Sequence, residues 1–548
     1  MPVRSILVSR AALVAAAVLV IPGLAPASPP RLAPDVREPG APATAAVCSS
    51  GPIRCHAHVR ITATGEIEAE AAPLAAPAGL GPAQIQAAYQ IDPATAKPAT
   101  VAIVDAFGYA DLESDLATYR AQFGLPPCTR ASGCLTILNK DGATAPLPPE
   151  SPPDNDWSEE TALDVDAISA ACPTCKIIVV QADDNGMTMY TAQNAAAAAR
   201  PTVISDSWGV ATAMGVDRSP LESFFDHPGI AQFVSSGDSG YDEGGKGPTY
   251  PSTSAHTISV GGTALVRASN ARGWSETAWS KGGSSCAYTI PKPAYQTTTA
   301  CMFRAASDIA AVGDPATGLA VYNTRAGGWV VVGGTSAASP LVAALFASIG
   351  LGNITAADIA QRTSALFDVT MGSNGPCGTI LCNATTGWDG PTGFGTPSAA
   401  LLSGAPAPGP GPGTLDVTIS SPADGASVDP GFQVTATASG AAVIGLFIDG
   451  TLLRTATAAP YVFPTPTSLA FGTHDIQVVA QDAQNHQVVS EVRVRVRFGD
   501  GPAVPPPDPE TGRGGGCQIG GDPAPGALGL ALVCGVLASV RRRRRAWR

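Results

Sequence analysis

Charge is scarce in this chain. Asp, Glu, Lys and Arg make up 14% of its 548 residues, and the formal net charge is -12. That balance excludes recognition of nucleic acids or other polyanions through a basic face. Histidine is scarcer still, at six residues. His56 and His58 fall in an Ala/Pro-rich N-terminal stretch, and His474 and His486 in an alternating C-terminal region. His227 and His256 lie in loop-like sequence, without the glycine-rich helix start that would present a catalytic imidazole. A serine enzyme with an ordinary histidine base is thereby restricted to an unusual histidine. The motif Cys172-Pro173-Thr174-Cys175 has no second CxxC or histidine cluster beside it, which ranks redox or metal chemistry below a structural bridge.

What is present points outward from the cell. Arg4 and Arg10 precede a short apolar stretch, Ala11 to Ile21, and Ala25-Pro26-Ala27 fits the small-x-small cleavage rule, so residues 1–27 read as an export signal. Ten of the twelve cysteines form close neighbours in order: Cys48 with Cys55, Cys128 with Cys134, Cys172 with Cys175, Cys286 with Cys301, and Cys377 with Cys382. In an exported chain such pairs read as disulfide-closed loops. Residues 28–78, rich in Ala and Pro, read as a short pro-segment or linker.

From residue 79 to 404 strands and helices alternate. TVAIVD at 100–105, KIIVVQ at 176–181, TVIS at 202–205, IAQFVS at 230–235 and Ile258 to Val260 are buried-strand signals. Helical patterns at 110–123, 158–171 and 189–199 lie between them. This predicts an α/β domain with a mostly parallel sheet flanked by helices, whose functional groups gather at the carboxyl ends of strands. Asp105, Ser236-Gly237-Asp238 and Ser336 all lie at such ends. After a Pro/Gly linker at 405–413, residues 414–498 show period-two alternation, which predicts a small all-β sandwich of immunoglobulin-like type with a spacer role by default. A second Pro/Gly linker, 499–516, leads to a tail at 517–548. There Cys517 precedes an apolar run, 524–540, and then Arg541 to Arg545. As a helix that run would reach about 25 Å, enough for a thin bilayer, and the positive charge after it places the C-terminus inside.

The stretch GGWVVVGGTSAASPLVAALFASIG, residues 327–350, reads as a buried strand breaking into a helix through a small-residue turn. It leaves the Ser336 hydroxyl at the helix mouth, among neighbours small enough for a substrate backbone to approach, where developing negative charge is favoured. Ser336 is the candidate nucleophile. A base is offered by carboxylates: in SEETALDVDAISAA, residues 158–171, Glu160 and Asp164 share one helical face. Taken alone that pair reads as a solvated face, and Asp156 and Asp166 blur which carboxylates matter.

Taken together, Glu160-Thr161-Ala162-Leu163-Asp164, Ser236-Gly237-Asp238-Ser239-Gly240 and Gly334-Thr335-Ser336-Ala337 with Pro340 resemble the sedolisin (serine-carboxyl peptidase) family, from about Gly79 to Ser403. The resemblance implies a subtilisin-like fold in which Glu160 replaces the histidine base, Asp164 tunes it and Asp238 serves the oxyanion. Asp105 and Trp208 would be supporting residues, extending a hydrogen-bond chain behind the dyad. It also implies a calcium (Ca2+) site from Asp368, Val369, Thr385, Gly387 and Asp389, with Thr385 where the family often has Gly. The family usually carries a long folded prodomain, which residues 28–78 are too few to form. The tail resembles myxosortase-type sorting signals, implying processing at Cys517, membrane attachment and a partner sorting machinery. The resulting expectation is an exported, surface-anchored serine-type endopeptidase acting on proteins or peptides, most active below neutral pH. Its rivals are an inactive homologue serving as an adhesin and a conventional subtilisin using an unrecognised histidine.

Overall fold

The computed structural model describes residues 42–497, apart from 49, 72–76, 154, 271, 298–300, 405–415, 442, 450 and 482–486. The export signal, both linkers, Cys517 and the 524–540 run lie outside the described residues. Among the described residues no helix is long and apolar enough to cross a membrane.

The N-terminal stretch is not featureless. It forms three short strands, β1 (Thr44–Ala46), β2 (Arg54–Cys55) and β3 (His58–Arg60). The central sheet follows, with β4 (Thr100–Ala106), β5 (Leu135–Asn139), β6 (Lys176–Ala182), β7 (Val203–Asp206), β9 (Ala231–Ser235), β11 (Ile258–Arg267) and β12 (Trp274–Ala278). Two short strands outside it are β8 (Trp208–Ala211) and β10 (Thr249–Tyr250). Further along are β13 (Ile309–Val312), β14 (Leu319–Asn323) and β15 (Gly328–Gly333). The order across the sheet is β12-β11-β9-β7-β4-β6-β5, with β13 also paired to β11. Every pairing is parallel except β11 with β12. Strands such as β4 and β6 are apolar runs because parallel strands are covered on both faces.

The helices that cover it include α1 (Leu112–Gln122), α2 (Ser158–Ala171), α3 (Thr188–Ala198) and α4 (Thr335–Ser348). The expected solvated face of α2 does not exist: all fourteen residues are buried, Glu159, Glu160, Asp164 and Asp166 among them. The sequence shows no amphipathic stripe there because the helix is enclosed on every side. Asp156 does not join the carboxylate cluster. Its Oδ1 accepts the Ser158 N–H and the Ser151 hydroxyl, each at 2.9 Å, in the turn before α2.

All five expected cysteine pairs are disulfides: Cys48 with Cys55, Cys128 with Cys134, Cys172 with Cys175, Cys286 with Cys301, and Cys377 with Cys382. They close loops with separations of 7, 6, 3, 15 and 5 residues. Cys134 is half-buried at the edge of the main core, directly before β5, while Cys382 is buried. Cys301 joins Leu381 and Trp388 in a small satellite core, with Cys286 and Cys377 packed against it, so two of the bridges staple one loop cluster.

The C-terminal domain has its own apolar core. A sheet of β16 (Asp416–Ser421), β17 (Gln433–Ser439) and β20 (Tyr461–Pro464) accompanies one of β18 (Val443–Ile448), β19 (Thr451–Ala456), β21 (Gly472–Gln481) and β22 (Gln487–Val496). Val417, Val434, Ile444, Leu446, Ile476 and Val478, all fully buried, fill the space between their inner faces.

Candidate active site

The candidate nucleophile, Ser336, is placed by a local backbone conflict. β15 ends at Gly333, and Gly334 takes φ +109 before α4 begins at Thr335. A side chain at Gly334 would collide with the His56 carbonyl and crowd Asp238 Oδ2, so only glycine serves there. Ser336 is therefore in the first turn of α4. Pro340, four residues on, has no N–H to bond the Ser336 carbonyl. That carbonyl lies 3.4 Å from the Ser207 hydroxyl. Ser339 ties the same helix to β7 through Ser205, 2.9 Å away.

Ser336 Oγ lies 2.9 Å from Glu160 Oε2 and 3.0 Å from the Ser207 carbonyl. Glu160 and Asp164 are both fully buried, one turn apart on α2. Asp164 Oδ1 accepts the Ser207 hydroxyl at 2.7 Å, which orients the second carboxylate. Burial pushes the Glu160 carboxyl well above the usual range, and the charges of Asp164 and Asp105 add to the rise. Burial and Asp105 do the same to Asp164. Two desolvated carboxyls one helical turn apart disfavour double ionisation.

Asp238 enters from the loop after β9. Its Oδ1 accepts both the backbone N–H and the hydroxyl of Thr335, each at 2.8 Å, while Oδ2 faces His58 Nε2 at 3.4 Å. Burial raises Asp238 to about 6, against the opposing pull of His58 and the Thr335 hydrogen bonds. A carboxyl in that range is protonated in mild acid and can then donate a hydrogen bond.

The two supporting candidates are adjacent but not linked by hydrogen bonds. Asp105 ends β4, fully buried, and burial raises it to about 7. Its oxygens accept no hydrogen bond among the described residues, the nearby Thr161 hydroxyl being given to the Trp157 carbonyl at 3.1 Å. Trp208 Nε1 likewise donates none among them, and its ring packs edge-on against Tyr190.

Two histidines set aside by sequence reasoning are in the site. His56 N–H donates to both the Ser207 carbonyl and Ser336 Oγ, each 3.1 Å away, and the His56 carbonyl accepts the Ser336 N–H at 3.0 Å. Composition placed this stretch in a linker, and no period or charge pattern marks it as a strand. Ser207 was also missed, its only signal being its place directly before Trp208. His227 and His256 are remote from Ser336: His256 lies against Glu222 and Asp226.

The candidate calcium residues form a separate cluster. Asp368 Oδ2 accepts the Gly387 N–H at 2.9 Å, and Asp389 Oδ2 the Thr385 N–H at 2.8 Å. Asp389 is fully buried and raised to about 7 by burial, with the charge of Asp368 contributing. The carbonyls of Val369, Thr385 and Gly387 accept no backbone hydrogen bond among the described residues. Two carboxylates that repel each other, beside uncommitted carbonyls, suit a hard divalent cation. A different clustering, of the Cys48 and Cys55 sulfurs within 4.8 Å of a Glu160 oxygen, is no metal site, because the sulfurs are bonded to each other.

Residues 152–362 match the subtilase family, and residues 416–478 match a bacterial Ig domain. The first match contains Glu160, Asp164, Asp238 and Ser336. The N-terminal domain has a subtilisin-like α/β fold. This peptidase domain is similar to kumamolisin of Bacillus sp. (strain MN-32), 30% identical over 382 residues, covering 63% of this chain and 66% of that protein. It is also similar to sedolisin of Pseudomonas sp. (strain 101), 33% identical over 200 residues, covering 31% of this chain and 34% of that protein. The chain thus spans just under two thirds of one relative and about a third of the other. Among solved structures, Pseudomonas sedolisin complexed with two molecules of pseudo-iodotyrostatin shares the fold, with TM-score 0.50 and 24% identity over 60% of this chain and 98% of that one.

Proposed function

We propose that this chain is an exported serine-carboxyl endopeptidase. The observation that carries the proposal is the 2.9 Å contact between Ser336 Oγ and Glu160 Oε2, with the Ser336 N–H and Asp238 on the oxyanion side. Glu160 takes the Ser336 proton as Oγ attacks a peptide carbonyl. Asp164, held by Ser207, shares the dyad's remaining proton and keeps Glu160 in place. The Ser336 N–H and the protonated Asp238 stabilise the tetrahedral oxyanion. Glu160 then gives its proton to the leaving amine, and water releases the acyl group from Ser336 by the same path.

Asp368, Asp389 and the carbonyls of Val369, Thr385 and Gly387 would hold calcium, which supplies structural charge compensation remote from the reacting atoms. Export follows from residues 1–27 and from five disulfides, which persist in oxidising surroundings. The tail, with Cys517 and the 524–540 run, would retain the enzyme at the surface through a sorting machinery. Deleting residues 517–548 should release the chain to the medium; retention in the membrane fraction would refute the anchor.

Casein hydrolysis by the full chain, beside Ser336→Ala, tests the activity. Hydrolysis by the wild type alone is expected. Equal hydrolysis by Ser336→Ala would overturn the assignment of the nucleophile.

A further inference from the structure

The turn after β12 holds one side chain beside Asp238. Trp279 is buried, its N–H donates to the Gly262 carbonyl at 3.0 Å, and its carbonyl accepts the Gly282 N–H at 3.1 Å. The Gly282 carbonyl accepts Asn374 Nδ2 at 2.6 Å. Two rungs then tie this turn to the loop that carries Asp238. The Gly283 N–H donates to the Gly237 carbonyl at 2.7 Å, and the Gly240 N–H donates to the Lys281 carbonyl at 2.8 Å. Gly283 permits the approach, because a side chain there would strike the Ser236 carbonyl. The rungs bracket Asp238, so the backbone of Lys281 is fixed next to it. The Lys281 side chain is half-buried and lines the same cleft of about 740 Å³ as Asp238.

Several elements bring charge to Asp238 in that cleft. From α4, the Thr335 N–H and hydroxyl both donate to Oδ1, each at 2.8 Å, so the proton of Asp238 belongs on Oδ2. From β3 comes His58, with Nε2 3.4 Å from Oδ2, charged only when protonated. From α2 comes Glu160, and from the loop of Asp238 itself comes Glu243, two buried carboxyls that a charged Asp238 repels. Each, when ionised, holds the proton on Asp238. Lys281 acts the other way: burial raises Asp238, and the charges of His58 and Lys281 oppose the rise. Arg54 and Lys246 also line the cleft, but both are exposed, where water and salt screen them. A lysine ammonium is charged throughout the acid and neutral range. Lys281 is therefore a standing pull on the Asp238 proton.

Resting on the serine-carboxyl reading above, we propose that Lys281 is a positioning residue that acts through Asp238 to set the alkaline edge of the activity. Asp238 serves the oxyanion only while it holds its proton. A nearby ammonium favours the carboxylate over the carboxyl, so the proton leaves at lower pH than burial alone would dictate. The edge then belongs to the Asp238–Lys281 pair, and removing the ammonium moves it upward.

The test measures kcat and KM of the full chain on casein from about pH 3 to about pH 9. Lys281→Met should move the alkaline midpoint of kcat up by about one pH unit. Lys281→Arg should leave it in place. Salt at ~1 M, where the Debye length is about 3 Å, should raise the wild-type midpoint and leave that of Lys281→Met unchanged. A midpoint shared by wild type and Lys281→Met overturns the proposal, as does an equal rise in Lys281→Arg. A change confined to KM also overturns it, because Lys281 would then be a substrate contact. A second measurement needs no turnover. In Ser336→Ala carrying carbon-13 aspartate, the infrared band of the protonated Asp238 carboxyl is identified by its loss in Asp238→Asn. Adding Lys281→Met should keep that band to higher pH by about one unit. If the wild type hydrolyses no casein at any pH, the peptidase reading falls, and this titration alone decides for or against Lys281. If Lys281→Met does not fold, the band is titrated in low and high salt with Lys281 in place, and the absence of an upward move overturns the proposal.

Discussion

The two domains bury different things. The sandwich interior is an apolar set, Val417, Val434, Ile444, Leu446, Ile476 and Val478, and its buried histidine, His474, reaches a half-exposed Asp449 at 2.6 Å. The peptidase domain buries four carboxylates on one helix, α2, and others that include Asp105, Asp206 and Asp238. Desolvating charge costs several kcal/mol per group unless it is paired or neutralised. Most of these seven have no basic partner: burial raises Glu159 to about 8, Asp105 to about 7, Asp238 to about 6, and Asp206, Asp164 and Glu160 in the same direction. Perturbed carboxyls of this kind gather where chemistry is done, and in this the two domains differ.

The sharpest break of that contrast is at the dyad and the oxyanion. Glu160→Gln keeps the side-chain shape and removes the base; Asp238→Ala removes a donor whose loss typically costs ~100- to 1000-fold in turnover. Both variants should fold and be nearly inactive on casein, as read from kcat beside an unchanged circular dichroism spectrum. In the wild type the rate should follow a bell. It falls in strong acid as the dyad takes its second proton, and it falls above about 6 as Asp238 loses the proton it donates. A maximum on the alkaline side, with Glu160→Gln active, would return the base to a histidine.

Smaller effects concern stability. Carboxyls raised on folding bind more protons in the folded state than in the unfolded one, where their pKa is about 4. Their stabilisation is complete below that value and is lost as pH rises through about 6 to 8, the folded values of Asp238, Asp105 and Glu159. Calorimetry of the full chain should show the peptidase transition moving down in temperature between about pH 4 and pH 8, and the sandwich transition moving little. Asp389 reverses the logic if calcium binds, because the ion and the proton compete for one carboxylate raised to about 7. Chelation should then lower the peptidase transition more at neutral pH than in acid. Asp389→Ala should abolish the response, and identical melting with chelator and with excess calcium would remove the site.

Much of this was open to reading before any coordinates. The parallel sheet is legible because buried strands such as TVAIVD are continuous apolar runs, and Ser336 because a strand, a glycine pair and a helix meet there. The five disulfides are legible because each partner is near in sequence, Cys134 six residues after Cys128 and Cys382 five after Cys377; even Cys301 is only fifteen beyond Cys286. The burial of α2 is not legible: periodicity reports a helix with two unlike faces, and α2 has none. The role of residues 54–58 is hidden for a different reason. A short strand held by backbone hydrogen bonds to Ser207 and Ser336 needs no particular side chains, so it leaves no pattern in composition. The hydrogen-bond chain expected through Asp105 and Trp208 depends on side-chain orientation, which spacing does not encode.

Because α2 is enclosed along its whole length, the candidate base Glu160 sits in the innermost part of the domain rather than on a peripheral loop. Its amide hydrogens can meet solvent only when the domain opens as a whole. Loss of activity and loss of structure then become one event with one lifetime. On the proposed mechanism the domain would work at full rate until it unfolds, its endurance set by the unfolding barrier rather than by gradual loosening of its site.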